Sequence, residues 1–243
     1  GGVPAVLVDR TVAGVVADRV GLDNAAAAAL GARHLLERGF DEIRFVVQPF
    51  DEVSSRQARE AAFRDAMRAY PHARGETVVL DLTDGQAVER TLAALDAQLA
   101  GLFDGDAGAD GGGGSSGVAD ADVDVDVDTD GGAVAGAAFH TDVNARTAPR
   151  RIALFAANGP VALCLARHLK QRYGDAWQTR IALLSIDDPD WAELVGITAV
   201  RQPTYEIGYR AVEFLHERIA GGMTAARDCL LQGELIERAS TSR

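Results

Sequence analysis

Short runs of apolar and β-branched residues alternate along this chain with longer stretches whose apolar positions recur at helical spacing. This alternation constrains the fold more than any other feature: a period of two and a period near 3.6 place side chains differently, and their regular succession specifies a parallel sheet covered by helices. Strands are predicted over residues 5–8, 43–47, 77–82, 151–156, 180–186 and 197–201, with 229–236 closing the set. Between them a helix is predicted over 24–38, capped by Asp23 or Asn24 and stopped at Gly39. Ser54 and Gln57 have the spacing of a capping box, and Ala62, Phe63, Ala66, Met67 and Tyr70 continue that helix as an apolar stripe. Val88, Leu92, Leu95, Leu99 and Leu102 mark a third helix, and residues 161–173 and 205–219 a fourth and fifth.

Residues from about 104 to 144 break the pattern. A glycine run, Gly111 to Gly114, precedes an alternation of Asp and Val from Asp120 to Asp128. Such a stretch buries too little apolar surface to offset its ordering entropy and reads as an acidic, disordered insertion. A strand or a calcium-binding repeat fits less well, because like charges would line one strand face and no bidentate Glu completes a calcium loop. The insertion also dominates the charge. The chain of 243 residues carries a formal −12, and nine Asp between positions 104 and 132 supply most of it, leaving the remainder near balance. An acidic chain is a poor ligand for nucleic acid by itself.

With 47% hydrophobic residues the chain can bury a sizeable core, in one domain or two lobes. No apolar run reaches membrane-spanning length and no leader pattern opens the sequence, so a cytoplasmic protein without membrane contact is expected. Cys164 and Cys229 lack metal or redox spacing and read as reduced, packed thiols.

In open α/β sheets ligands lie beyond the carboxyl ends of the strands. Those positions hold Asp9, the stretch from Gln48 to Arg59 that includes Ser55, then Thr83 and Asp84, Asn158, Asp187 and Asp188, and Gln202. The Asp, Asn, Gln, Ser, Thr and Arg among them are hydrogen-bonding types suited to a polyhydroxylated ligand. Catalytic signatures are lacking: no phosphate-loop or dinucleotide fingerprint occurs, and the one G-x-S-x-G match, Gly113 to Gly117, lies in the acidic insertion. His34, His72, His140, His168 and His216 form no metal triad or catalytic couple. Asp187, Asp188 and Asp190 could form an acid/base or magnesium cluster; ligand hydroxyl binding suits Asp187 better, and capping of backbone N–H groups suits the other two. The expectation is a binding protein, not an enzyme, with no cofactor and no metal.

Six segments carry a family resemblance in order: "GVPAVLVDR", "VGLDNAAAAALGARHLLERGFDEIRFV", "SSRQAREAAFRDAM", "ALFAANGPVAL", "IALLSIDDPDWAELVGITAVRQPTYEIGYRAVEFL" and "LQGELIERAST". Together they resemble the effector-binding core of the lac/galactose repressor family. That resemblance implies a periplasmic-binding-protein-like α/β fold with parallel sheets flanked by helices, in two lobes of which the N-terminal is incomplete. The implied division assigns residues 1–15 and 196–222 to the N-terminal lobe, and 16–195 and 223–243 to the C-terminal effector-binding lobe.

Carried over by position, Arg59 resembles the family's effector-contacting arginine, Asn158 the asparagine of its "aaN" loop, and Asp187 the aspartate after the buried strand, with Ser185 in place of the usual glycine. Asp9 and Gln202 match polar residues at two lobe crossings, and Ala62 replaces a common glycine before Phe63. Read alone, Arg59 is a solvated helix arginine, but a first-turn position at a strand mouth lets a guanidinium and backbone N–H groups hold an anion together. Trp191 is either ordinary packing or a platform for a sugar face. The segments "WAELVG", "RQPTYEIG" and "FAANGPV" are most similar to the branch that responds to sugar acids such as ketogluconates. The implied protein is a homodimeric repressor that reaches operator DNA only through a headpiece absent from this chain. A sugar transporter's solute-binding protein is the rival reading.

Overall fold

The computed structural model describes residues 3–51, 53–107, 150–222 and 224–242. In chain order the elements are β1 (Val6–Val8), β2 (Asp18–Leu22), α1 (Asn24–Glu37), β3 (Glu42–Val47), α2 (Ser54–Arg68), β4 (Arg74–Val79), α3 (Gly85–Ala107), β5 (Ile152–Ala156), α4 (Gly159–Tyr173), β6 (Ile181–Ile186), α5 (Asp190–Val195), β7 (Thr198–Arg201), α6 (Thr204–Ile219), β8 (Asp228–Leu231) and β9 (Glu234–Ile236). Short 3-10 turns occupy Asp175–Thr179 and Ala239–Thr241. Two sheets result: a six-stranded one ordered β4-β3-β5-β6-β7-β9 and a three-stranded one ordered β1-β2-β8. Among the described residues every strand pairing is parallel except β7 with β9.

The large sheet is covered on both faces, which is why β3, β5 and β6 are buried at every position. Side chains alternate across it. Phe45, Phe155 and Leu184 stand in register and face α1 and α2, where the Phe45 ring stacks on Phe63 at 5.0 Å and meets Phe155 edge-on at 5.2 Å. Their neighbours Val46, Leu154 and Leu183 face the opposite layer, with Leu95 and Leu99 of α3 and Leu165 and Leu169 of α4. Helix α1 lies so close to the first layer that a Cβ on Gly31 would come within 2.6 Å of Phe155 Cζ.

The small sheet is held differently. Helix α6 packs over β1 and β2, and the fully buried Asp18 carboxylate receives Arg218 Nε and Nη2 at 2.9 and 2.8 Å and Arg227 Nη2 at 3.1 Å. Those hydrogen bonds, led by Arg218 and opposed by burial, hold its carboxyl well below the usual carboxylate range.

Several expectations are corrected. Strand β2 lacks a predicted counterpart, and the single strand expected over 229–236 is two, β8 in the small sheet and β9 in the large one. The expected lobe division therefore does not follow strand membership: β2 and β8 join the small sheet, whereas β7 lies in the large sheet beside β6. The physical reason is that β2 is five residues long and opens on two charges, Asp18 and Arg19, so it presents no apolar run or alternation that reads as a strand. No capping box forms at α2; its cap is Val53 without a side-chain bond, and Ser54 Oγ instead accepts from Thr11 N at 3.1 Å. Helix α3 runs to Ala107, so the first four residues assigned to the acidic insertion are helical; Gly111 to Gly117, Asp120 to Asp128 and His140 lie outside the described residues. Among the described residues Asp188 caps no backbone N–H and instead binds Arg201 and Arg238.

Candidate effector site

Four strand ends deliver the polar residues. Asn158 follows β5 and caps α4, its Oδ1 accepting Val161 N at 3.1 Å while its Nδ2 donates to Gln48 Oε1, beyond β3, at 2.8 Å. Gln48 also accepts from Arg56 Nη2 at 3.3 Å. Beyond β6, Asp187 Oδ2 accepts Gly159 N at 2.9 Å, so this carboxylate sits on the positive end of α4. Its Oδ1 accepts from Gln202 Nε2, beyond β7. Asp187 holds φ at 101° and Asp9 at 60°, left-handed values uncommon for non-glycine residues and concentrated at functional sites.

Arg59 lies among these groups. Its side chain is buried at 9% exposure, yet its Nε donates to Asn24 Oδ1 at 2.6 Å and its Nη1 to Ala157 O at 2.5 Å, both neutral acceptors. Among the described residues it forms no ion pair. Burial lowers its pKa, and the fields of Asp187 and Asp9 act the other way. Arg59 is thus a nearly buried cation whose direct partners do not cancel its charge.

A cleft of about 260 Å³ opens beside this cluster, between the small sheet and the first turns of α1 and α2; Asp9, Arg19, Asn24, Ser54 and Ser55 contribute to its wall. The close approach that shapes it depends on glycine, since a Cβ on Gly21 would lie 2.9 Å from Asp9 Cα. Asp9 Oδ1 in turn accepts Leu22 N at 3.0 Å, tying the end of β1 to that of β2.

The structure thus sets three hydrogen-bonded groups side by side along residues 157–159, with Arg59 on Ala157 O, Asn158 on Gln48, and Asp187 on Gly159 N and Gln202, and it places Asp9 and Ser55 in the adjoining cleft wall. Trp191, half-buried, packs on the apolar layer that contains α3 and α4. Thr83 and Asp84 serve the turn before α3, where Asp81 accepts Thr83 N and Asp84 accepts Gln86 N. Two residues were not singled out by sequence reasoning. Gln48 stood in a strand-end stretch without being chosen, and Asn24 was read only as a helix cap because the strand before it, β2, was not recognised. Both cysteines are free thiols. Among the described residues no group of His, Cys, Asp or Glu could hold a metal ion, and no helix is long and apolar enough to cross a membrane.

A doubly covered parallel sheet, a smaller parallel sheet beside it and a polar cleft at the strand ends define a bilobal ligand-binding class. The chain belongs to the periplasmic binding protein-like domain family, whose model matches residues 32–241. It is similar to the HTH-type transcriptional regulator PtxS of Pseudomonas plecoglossicida, 34% identical over 240 residues, and to that of Pseudomonas aeruginosa, 32% identical over 240 residues. Each match covers 98% of this chain and 55% of the regulator, so the chain spans about half the length of these curated relatives. Among solved structures, a LacI-family transcription repressor from Corynebacterium glutamicum aligns with a TM-score of 0.67 at 18% identity, covering 100% of this chain and 74% of that one. A LacI-family regulator from Enterococcus faecium with bound ribose aligns at 0.64 and 17% identity, covering 97% and 69%. At such identities the structural likeness concerns the fold. The fold and the lac/galactose-repressor resemblance read from the motif order are both met.

Proposed function

We propose that this chain is the effector-binding core of a sugar-responsive transcriptional repressor, and that it takes a small sugar acid of the ketogluconate type in the cleft beside Arg59. The observation that carries this reading is the buried Arg59 guanidinium, held by two neutral acceptors and, among the described residues, without an ion pair of its own. A carboxylate ligand supplies the missing counter-charge through charge-assisted hydrogen bonds. Asn158, Asp187, Gln202 and Gln48 offer amide and carboxylate groups for hydroxyls, and Asp9 and Ser55 extend that surface along the cleft. The sugar-bound neighbours, one with ribose and another, from Alkaliphilus metalliredigens, complexed with D-xylulofuranose, support a small sugar skeleton as the ligand, and the acid group rests on Arg59.

The regulator reading rests on the Pseudomonas relatives, which are HTH-type transcriptional regulators, and it disfavours a transporter's solute-binding protein. In the same reading the protein is cytoplasmic, works as a homodimer and meets operator DNA through a separate headpiece. The small sheet with α6 represents part of an N-terminal lobe, and the large sheet the C-terminal lobe. An effector shifts the lobe arrangement only through different affinities for its two states.

The test is a thermal melt of the chain with gluconate, 2-ketogluconate, 2-keto-3-deoxygluconate, glucose and ribose. Ligand at a hundred times its dissociation constant adds about 2.7 kcal/mol, enough to raise the midpoint by several degrees. A shift with an acid and not with the neutral sugars is the expected result. A cooperative melt unmoved by every compound removes this ligand class.

A further inference from the structure

Arg59 keeps its charge available because the group that grips its Nε is an amide. Asn24, the first residue of α1, accepts from Arg59 Nε through Oδ1 at 2.6 Å and donates through Nδ2 to Leu22 O, at the end of β2, at 3.1 Å. The Leu22 carbonyl orients the amide, since only the Nδ2 side can donate to it, and Oδ1 is thereby turned toward the guanidinium. Asn24 also contributes to the cleft wall. A carboxylate in the same place would have the same shape and would form a direct ion pair with Arg59. The two aspartates whose fields reach Arg59 are already engaged, Asp187 by Gly159 N and Gln202 Nε2, and Asp9 by Leu22 N.

We propose that Asn24 is the residue that sets the charge preference of this site: by holding Arg59 with a neutral acceptor it reserves the guanidinium for an anionic ligand, and an aspartate there would turn the site away from acids. This inference rests on the reading of the cleft as a sugar-acid site. It assigns Asn24 a positioning role, because its effect passes through Arg59.

The experiment is calorimetric titration of the wild-type chain, Asn24→Asp and Asn24→Ala with gluconate, 2-ketogluconate and glucose. Both variants lose the Nδ2 donor, but Asn24→Asp keeps an acceptor for Arg59 and adds a charge, whereas Asn24→Ala removes the acceptor and adds none. Asn24→Asp is expected to lose about tenfold or more in affinity for the acid that the wild type binds, in line with loss of a charge-assisted bond. Asn24→Ala, with Arg59 untethered but still uncompensated, is expected to lose several-fold less. Equal losses in the two variants mean that Asn24 only supports the local structure, which overturns the inference while leaving the sugar-acid site standing. The wild type provides a measure independent of either variant's folding: equal affinity for gluconate and glucose overturns the inference, and no binding of any acid removes the underlying site reading with it.

Discussion

Individual residues in this chain acquire their meaning from what lies beside them. Arg59→Ala removes the cation on which the proposed carboxylate contact depends, and its expected cost is about 1.5 to 3 kcal/mol of binding, the range for charge-assisted hydrogen bonds. Titration of the variant with the preferred acid measures this, and unchanged affinity removes Arg59 from the site. Gly31 is constrained sterically, because a side chain there meets Phe155 and Leu184 beneath α1. Gly31→Val is expected to destabilise the fold by about 1 to 3 kcal/mol through overpacking, read as a lower urea midpoint. The family pattern singled out Arg59, Asn158 and Asp187 as candidate site residues before any geometry was available. Asn24 was not legible, since its importance lies in a bond to a residue 35 positions away.

At the scale of elements, the small sheet depends on a charge cluster. Asp18, at the start of β2, is fully buried and accepts from Arg218 at the end of α6 and from Arg227 just before β8. Replacing Asp18 removes the ion-pair partner of Arg218 and leaves Arg227 only Glu217, so Asp18→Asn is expected to cost about 3 kcal/mol, measured by denaturant unfolding; a change within about 0.5 kcal/mol, the ordinary range for surface substitutions, contradicts that role. Strands β3, β5 and β6 were readable because they are buried on both faces and mostly apolar, β3 being interrupted by Glu42 and Arg44 and β6 by Ser185. Strand β2, with Asp18 and Arg19 at its start, was not. Its charges pair with Arg218, Arg227 and Asp228, contacts that span about two hundred residues. The same limit explains Asp188, expected as a cap but engaged by Arg201 and Arg238.

Over the whole molecule, titration links these contacts to stability. His34 is buried against Thr241, 2.9 Å from its hydroxyl, and burial lowers its pKa from 6.5. A base whose folded pKa is depressed favours folding fully above its unfolded value, so stability is expected to fall as pH drops below about 6.5 and to level off below the folded value. His34→Gln removes that limb. A second loss follows below about pH 4. Asp18 is held low by Arg218 and Arg227, and Asp188, despite burial, by Arg238 and Arg201, so the stability they add disappears as they protonate. Denaturant midpoints measured between pH 3 and 8, against Asp18→Asn and His34→Gln, test both limbs. With a formal charge of −12, the chain of 243 residues alone is also expected to leave duplex DNA unshifted at physiological salt in a mobility assay.

The sequence by itself determined the alternation of strands and helices, the apolar faces that pack on the large sheet, and the strand ends at which polar residues gather. These follow from local periodicity and from the rule that places ligands beyond parallel strands. Only the tertiary structure decided which strands join which sheet, that Trp191 serves the core, and that Asn24 holds Arg59. Those outcomes depend on pairings between residues far apart in the chain, where neither spacing nor composition reports who will meet whom.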